Sequence, residues 1–350
     1  MKLVPTKWLT PLLVVLLLLA VLLASGIGAV HITPLQSLAI FGQALGLPAA
    51  SDFSQQQEAV LLHIRMPRVV LALLIGAVLA MSGAAMQGLF RNPLADPGLI
   101  GVSSGASVTA VFTIVLAASW FPNLPALGSS YVISLVTFIG AFVTTLIVYR
   151  LSQVNGKTLI TTMLLAGVAI NGLTGALTGL MTYATTESQL RSITFWMLGS
   201  LGGASWNNVL VAMPFMVLPL VLLPRRAHVL NILALGEANA TYLGIPIERV
   251  KRGIILLVAL GVGASVAIAG IIAFVGLVVP HIIRLVTGPD NRLVLINSAL
   301  AGGLLLVGGD LVARTIFAPA ELPIGIITSL IGSPVFLYLL LKDRKTQKLV

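Results

Sequence analysis

Ten carboxylates and four histidines make up the acid–base and metal-ligating chemistry of this 350-residue chain, because cysteine is absent. Without thiols there is no disulfide, iron–sulfur or thiolate metal site to consider. His31, His63, His228 and His281 are scattered and show no ligand spacing of the H-E-x-x-H kind, so no metal site is expected. The acids are equally sparse where an intramembrane enzyme would need them. All but Asp310 fall in loops or at the ends of apolar runs, and Asp310 has Arg314 one helical turn later, at ion-pair spacing. The tetrapeptide "NGKT" (Asn155 to Thr158) resembles the end of a phosphate-binding loop, but Leu151 stands where the first glycine must turn the backbone. No catalytic residue, resident cofactor or metal is expected in this chain, and it is expected not to be an enzyme.

The elements that carry these few groups follow from composition. Hydrophobic residues make up 58% of the chain and charged residues only 9%, against roughly a quarter charged in soluble domains. A bilayer must serve as solvent for most of this surface. The net charge of +10 does not indicate nucleic acid, because the basic residues lie in short loops between apolar runs rather than on one face. The first thirty residues combine basic, apolar and small residues in the order of a signal peptide. The apolar stretch from Trp8 is long enough to span, however, and a retained first helix is expected.

Runs of spanning length lie near Trp8–Ala29, Leu61–Leu89, Leu99–Ala118, Tyr131–Tyr149, Leu159–Met181, Val209–Leu223, Ile254–Phe274, Leu293–Val312 and Ile324–Leu341. A shorter piece, Leu277–Val286, brings the count to ten. The chain thus reads as an all-α polytopic membrane protein, one transmembrane domain over residues 1–350. With the N-terminus in the cytoplasm and the helices alternating, 16 of the 20 basic residues, from Lys2 to Lys348, fall inside. Only Arg65, Arg68, Arg191 and Arg314 remain outside. Both termini are then cytoplasmic, as are "RNPLAD", "TGPDNR" and the charged segment from Leu233 to Gly253.

Glycines are spaced for close helix contact, Gly175 with Gly179 and Gly199 with Gly203, and intramolecular packing is expected of them, with a subunit interface or pathway lining as the alternative. Ser103, Ser104, Ser107, Asn171, Thr174 and Thr178 stand on the same glycine-rich segments, where they can line a pathway without strong coordination. Met81, Met86, Met163, Met181 and Met197 are read as packing, with contact to a solute as the alternative.

The run "RMPRVVLALLIGAVLAMSGAAMQGLFRNPLADPGLIGVSSGA" (Arg65 to Ala106) closely resembles the FecCD family, permease subunits of bacterial ATP-driven importers for ferric siderophores, haem and cobalamin. "FWMLGSLGGASW", "LGEANATYLGI", "GIIAFVGLVVPHIIRLVTGPDNR" and "ELPIGIITSLIGSPVFLYLL" follow in family order, so the likeness covers nearly the whole chain. The resemblance implies a type II ABC importer permease fold, with about ten helices per subunit of a homodimer in the bacterial inner membrane. It implies two ATP-binding cassette ATPase subunits, which bind the ATP and Mg, and a periplasmic substrate-binding protein.

The resemblance also implies that the cytoplasmic segment at about 227–250 is a pair of short coupling helices docking on the ATPase, through Leu235, Gly236, Glu237, Ala240, Leu243 and Gly244. The residues suit that task. Ala234, Ala238 and Ala240 keep one side compact, and Leu235, Tyr242 and Leu243 provide apolar knobs. Gly236, Gly244 and Pro246 punctuate the helices. A surface helix on lipid headgroups is the plainer alternative. By the same likeness Arg65, Arg68 and Arg314 match rim positions that pair with carboxylates of the binding protein, with snorkelling as the alternative. Arg191 has no counterpart and would meet an anionic solute at the translocation mouth. "RSITFWMLGSLGGASW" looks most like the haem-importing branch, ahead of siderophore and cobalamin. The rival class is a secondary carrier or channel driven by an ion gradient, which would need deep charges that this chain lacks.

Overall fold

Leucine and valine dominate the first apolar run, and in lipid such a run has one option: a helix that satisfies its own backbone. The computed structural model of the chain, which describes residues 6–46, 51–120, 126–317 and 320–347, places α1 at Thr6–Gly26. Lys2 and Lys348, used above for orientation, lie outside the described residues.

Two amphipathic pieces follow. Helix α2 (Pro34–Ala44) and α3 (Gln55–Ala59) each begin with a capping box, from Thr33 to Gln36 and from Ser54 to Gln57. Helix α3 runs through a π turn, Val60–Arg65, into α4 (Met66–Phe90). Apolar all round, α4 is the axis of the molecule, with 89% of its most apolar window buried. It packs most extensively against α14 (Asn291–Ile316) and also against α13 (Val275–Thr287). A Cβ on Gly76 would collide with the backbone of Gly302, and one on Gly83 with that of Gly276. Between Gly76 and Gly302 the close approach requires glycine on both sides.

The second layer is α5 (Val102–Trp120), α6 (Ala126–Leu151), α7 (Ile160–Tyr183) and α8 (Glu187–Leu198), followed by α9 (Trp206–Arg225) and α12 (Ile247–Ala269). Helix α9 keeps Pro214, Pro219 and Pro224 within its length, which lipid-embedded helices tolerate when neighbours re-satisfy the freed carbonyls. The chain ends with α15 (Ile324–Gln347).

Among the described residues, seven helices are long and apolar enough to cross a bilayer, and three shorter apolar ones lie at Val102–Leu116, Val275–Thr287 and Ile324–Leu339. All ten expected segments are helical, and the expected shorter piece is α13, 13 residues long. The expected span Ile254–Phe274 is corrected: α12 starts at Ile247 and stops at Ala269, because Gly270 takes φ 71°. Phe274, at φ 66°, then opens α13. The all-α expectation has one small exception. The first two residues of "NGKT", Asn155 and Gly156, form the turn of a hairpin between β1 (Gln153–Val154) and β2 (Lys157–Thr158), both at positive φ. Two consecutive positive φ angles suit a tight hairpin turn.

Candidate functional site

An open groove of about 640 Å³ is lined by α5, α7 and α8. Its wall carries Ser104, Ser107, Asn171, Thr174, Thr178 and Thr182. Most of these polar groups are already satisfied. Thr174, Thr178 and Thr182 each donate to the carbonyl one turn earlier, at 2.8 Å. Ser104 donates to Asn171 Oδ1 at 2.6 Å, and Asn171 Nδ2 donates to Gly98 O at 3.3 Å. That carbonyl is held by the turn Pro97–Ile100, capped by Asp96, whose Oδ1 accepts from Gly98 N at 2.7 Å. Burial pushes the Asp96 carboxyl above its ordinary pKa, against the pull of that N–H. The groove thus offers methyl groups and oxygen lone pairs, a surface that wets a solute without gripping it.

The structure corrects the packing expected of two glycines here. A Cβ on Gly175 or Gly179 would meet nothing within 4 Å, so both line the groove. Gly203 is equally open, whereas Gly199 is pressed against Ile271 O. Met81, Met86 and Met163 are buried core, and Met197 lines the groove. Arg191 is exposed on α8 next to Leu190, which lines the groove, and makes no ion pair among the described residues.

The other outer-rim candidates turn inward. Arg65, 4% exposed, donates from Nη1 to Ser25 O and Gly26 O at 2.7 Å and from Nη2 to Val30 O. Arg314 Nη2 donates to Ala24 O. Two guanidiniums thereby cap the carbonyls at the C-terminus of α1, a helix with no basic residue in its own last turn. Arg68, 8% exposed, donates from Nε to both oxygens of Asp310 at 3.0 Å and from Nη1 to both oxygens of Glu321 at 2.8 Å. The expected Asp310–Arg314 pair is corrected, since Arg68 takes that carboxylate. As surface ligands for a docking protein, Arg65 and Arg68 are corrected too, because their donors are consumed inside the fold.

At the opposite end, the segment after α9 forms α10 (Ala227–Ala234) and α11 (Glu237–Tyr242). Gly236 at φ 112° separates them, and Gly244 at φ 74° ends the second. These conformations strain any side-chain-bearing residue. Ala240 is buried, while Leu235, Tyr242 and Leu243 are 70%, 90% and 65% exposed. Three large apolar side chains thus stand exposed together on a short, glycine-punctuated segment.

Sequence reasoning missed what holds this surface in place. Lys251 of α12, 2% exposed, bonds Glu237 at 2.9 Å, Glu248 at 3.3 Å and Thr158 O at 2.9 Å. Glu248 also accepts from the hydroxyl and N–H of Thr158. Helix α10 is fastened separately: Asn231 donates to Asp290 Oδ1 at 2.7 Å and accepts from Asn291 N at 2.8 Å. Asp290 caps α14 through Arg292 N at 3.0 Å. That N–H, the Asn231 amide and the nearby Arg292 charge hold the Asp290 carboxyl below its ordinary pKa, with burial opposing slightly. An aspartate directly before a helical run is a readable cap signal. The partner Asn231, 59 residues away in sequence, is not.

A match to the FecCD transport family model extends over residues 16–342. The chain belongs to the FecCD transport family. Among its relatives in that family, the "Hemin transport system permease protein HmuU" of Yersinia pestis is 46% identical over 284 residues, covering 81% of this chain and 84% of the relative. The "Cobalamin import system permease protein BtuC" of Halobacterium salinarum is 41% identical over 306 residues, covering 87% and 79%. A solved structure, described as a metal-chelate type ABC transporter in an inward-facing conformation, superposes with a TM-score of 0.82 at 31% identity, over 96% of this chain and 99% of that one. The FecCD fold is thus shared along nearly the whole chain.

Proposed function

We propose that this FecCD protein is the permease subunit of an ATP-driven importer that moves haem across the bacterial inner membrane by alternating access. The observation that carries this reading is the half-open groove between α5 and α7. Its volume lies within the roughly 300–1,000 Å³ of small-molecule sites, yet it has no charge and few free donors. A second copy of the chain would close it from the far side, where Leu165, Leu173 and Leu180 of α7 are exposed. Exposed Leu235, Tyr242 and Leu243 would seat one ATPase subunit on each copy, with both termini on that cytoplasmic side. A periplasmic binding protein would deliver the solute near α8, where Arg191 would steer anionic propionates. Haem is favoured over cobalamin by the higher identity to the hemin permease, and ferric siderophore is the remaining alternative.

The test is uptake into proteoliposomes holding the permease with its ATPase and binding protein, comparing haem, a ferric siderophore and cobalamin. ATP-dependent haem uptake is expected, with Arg191→Ala lowering it a few-fold. Uptake driven by a proton or sodium gradient without ATP would assign the chain to the carrier class instead.

A further inference from the structure

A second recess, away from the groove, lies between the C-terminal end of α6 and the N-terminal end of α12, with a volume of about 300 Å³. Its rim is built from Arg150, Arg252, Gln153 and Tyr149. Neither arginine forms an ion pair or side-chain hydrogen bond among the described residues, and no carboxylate lines the recess. The nearby acid, Glu248, faces the other way, towards Lys251 and Thr158. Tyr149 is 8% exposed, and its hydroxyl has no protein hydrogen-bond partner among the described residues. The Gln153 amide is unused as well. A phenol, two exposed guanidiniums and an exposed amide therefore stand around one recess that holds no protein acceptor.

The floor of the recess is apolar, formed by Leu146, Ile255 and Leu256. These residues belong to the spans Tyr131–Leu151 and Ile247–Ala269. Along the same side of α6, Ile147, Val143 and Ile139 continue as an exposed apolar track. Donors at the end of two spans, with an apolar track leading into the bilayer, fit a molecule with an anionic head and an aliphatic tail. We propose that this recess binds an anionic phospholipid, its phosphate between Arg150 and Arg252, its ester region against Tyr149 and Gln153, and an acyl chain along α6. Basic pockets between helix ends are suited to such headgroups. A free phosphate would leave the apolar floor unused. An acidic protein loop would have to enter at the level where the spans begin. The inference rests on α6 and α12 spanning the bilayer, and not on which solute is carried. The lipid would brace the hairpin that holds Lys251 through Thr158 O, next to the coupling surface.

The test uses the full-length permease in mild detergent, titrated with phosphatidylglycerol or phosphatidylcholine and read by native mass spectrometry. Phosphatidylglycerol adducts are expected to be retained preferentially. Arg150→Gln with Arg252→Gln should weaken that retention about tenfold, and Tyr149→Phe should weaken it less. The control pair Arg225→Gln with Arg249→Gln, which removes the same charge elsewhere at that end, should leave it unchanged. Tyr149→Phe keeps the ring that packs in the core, so it separates lipid loss from misfolding. Equal retention of both lipids, or equal loss in the control pair, overturns the proposal. So does displacement of the lipid by inorganic phosphate alone, or ATPase release from the double variant at unchanged lipid retention. Each of these is read independently of transport, so failure of the haem reading leaves the result standing.

Discussion

Arg68 and Lys251 are both nearly solvent-free cations that hold two carboxylates each, at opposite ends of the FecCD bundle. Around Arg68, one partner is as buried as the arginine: Asp310 is 2% exposed, and it joins α4 to α14, the most closely packed helix pair in the molecule. Around Lys251, both partners are partly open to solvent, with side chains 40% and 35% exposed, and one of them belongs to the short α11. The first arrangement cannot open without stranding a charge in apolar surroundings. The second can, because water stands ready to take over the glutamates. One end of the bundle is therefore a lock, and the other a looser fastening beside an exposed apolar face.

The largest effect should come from breaking the lock. Arg68→Ala leaves Asp310 buried and unpaired, and should destabilise the folded protein by about 3–5 kcal/mol, visible as a large drop in thermal midpoint in detergent. Arg68→Met combined with Asp310→Leu should recover most of that loss. A single variant of wild-type stability would mean that the pair does not hold the bundle. At the other end, Leu243→Asp should leave the midpoint within about 0.5 kcal/mol while weakening ATPase binding by about 2 kcal/mol, as for a central interface residue. Co-purification at wild-type yield would refute the docking role.

Lys251→Met should act differently from both. The ATPase should still bind, but transport should fall about tenfold, within the 1–3 kcal/mol typical of coupling free energies. Lys251→Arg should preserve part of the activity, and loss of ATPase binding in Lys251→Met would make the lysine a scaffold rather than a transmitter. The smallest effect concerns the cap of α14. Asp290→Ala should cost about 1 kcal/mol at neutral pH. Because the folded carboxyl lies below its ordinary value, this contribution is complete above the unfolded pKa, near 3.9. It should fade as pH falls through the folded one. Thermal melts of the two proteins should therefore draw together as pH falls below the unfolded pKa; a constant difference would show that the charge is not involved.

The punctuation of α10 and α11 was readable because its signals are local. Gly236, Gly244 and Pro246 act through their own backbone, and an exposed Leu235 or Leu243 next to charged residues stands out within a few positions of itself. The groove was half readable. The serines and threonines of α5 and α7 mark polar faces, but periodicity does not say whether Gly175 and Gly179 meet another helix or open space. The rim arginines misled for the complementary reason. An arginine at a helix end looks the same in sequence whether it faces water or a carbonyl 40 residues away, as Arg65 does with Ser25.

Composition alone made this chain a membrane protein of ten apolar helical segments, because a backbone in lipid must satisfy itself within each segment. Turn residues alone punctuated α10 and α11, because glycine and proline act on their own dihedrals. Partnership was decided only in three dimensions. Which carboxylate Arg68 takes, which carbonyls Arg65 caps and which donors around Tyr149 stay empty all depend on side chains far apart in sequence. Their pairing is set by how closely α4, α14 and their neighbours pack, and no spacing along the chain encodes that distance.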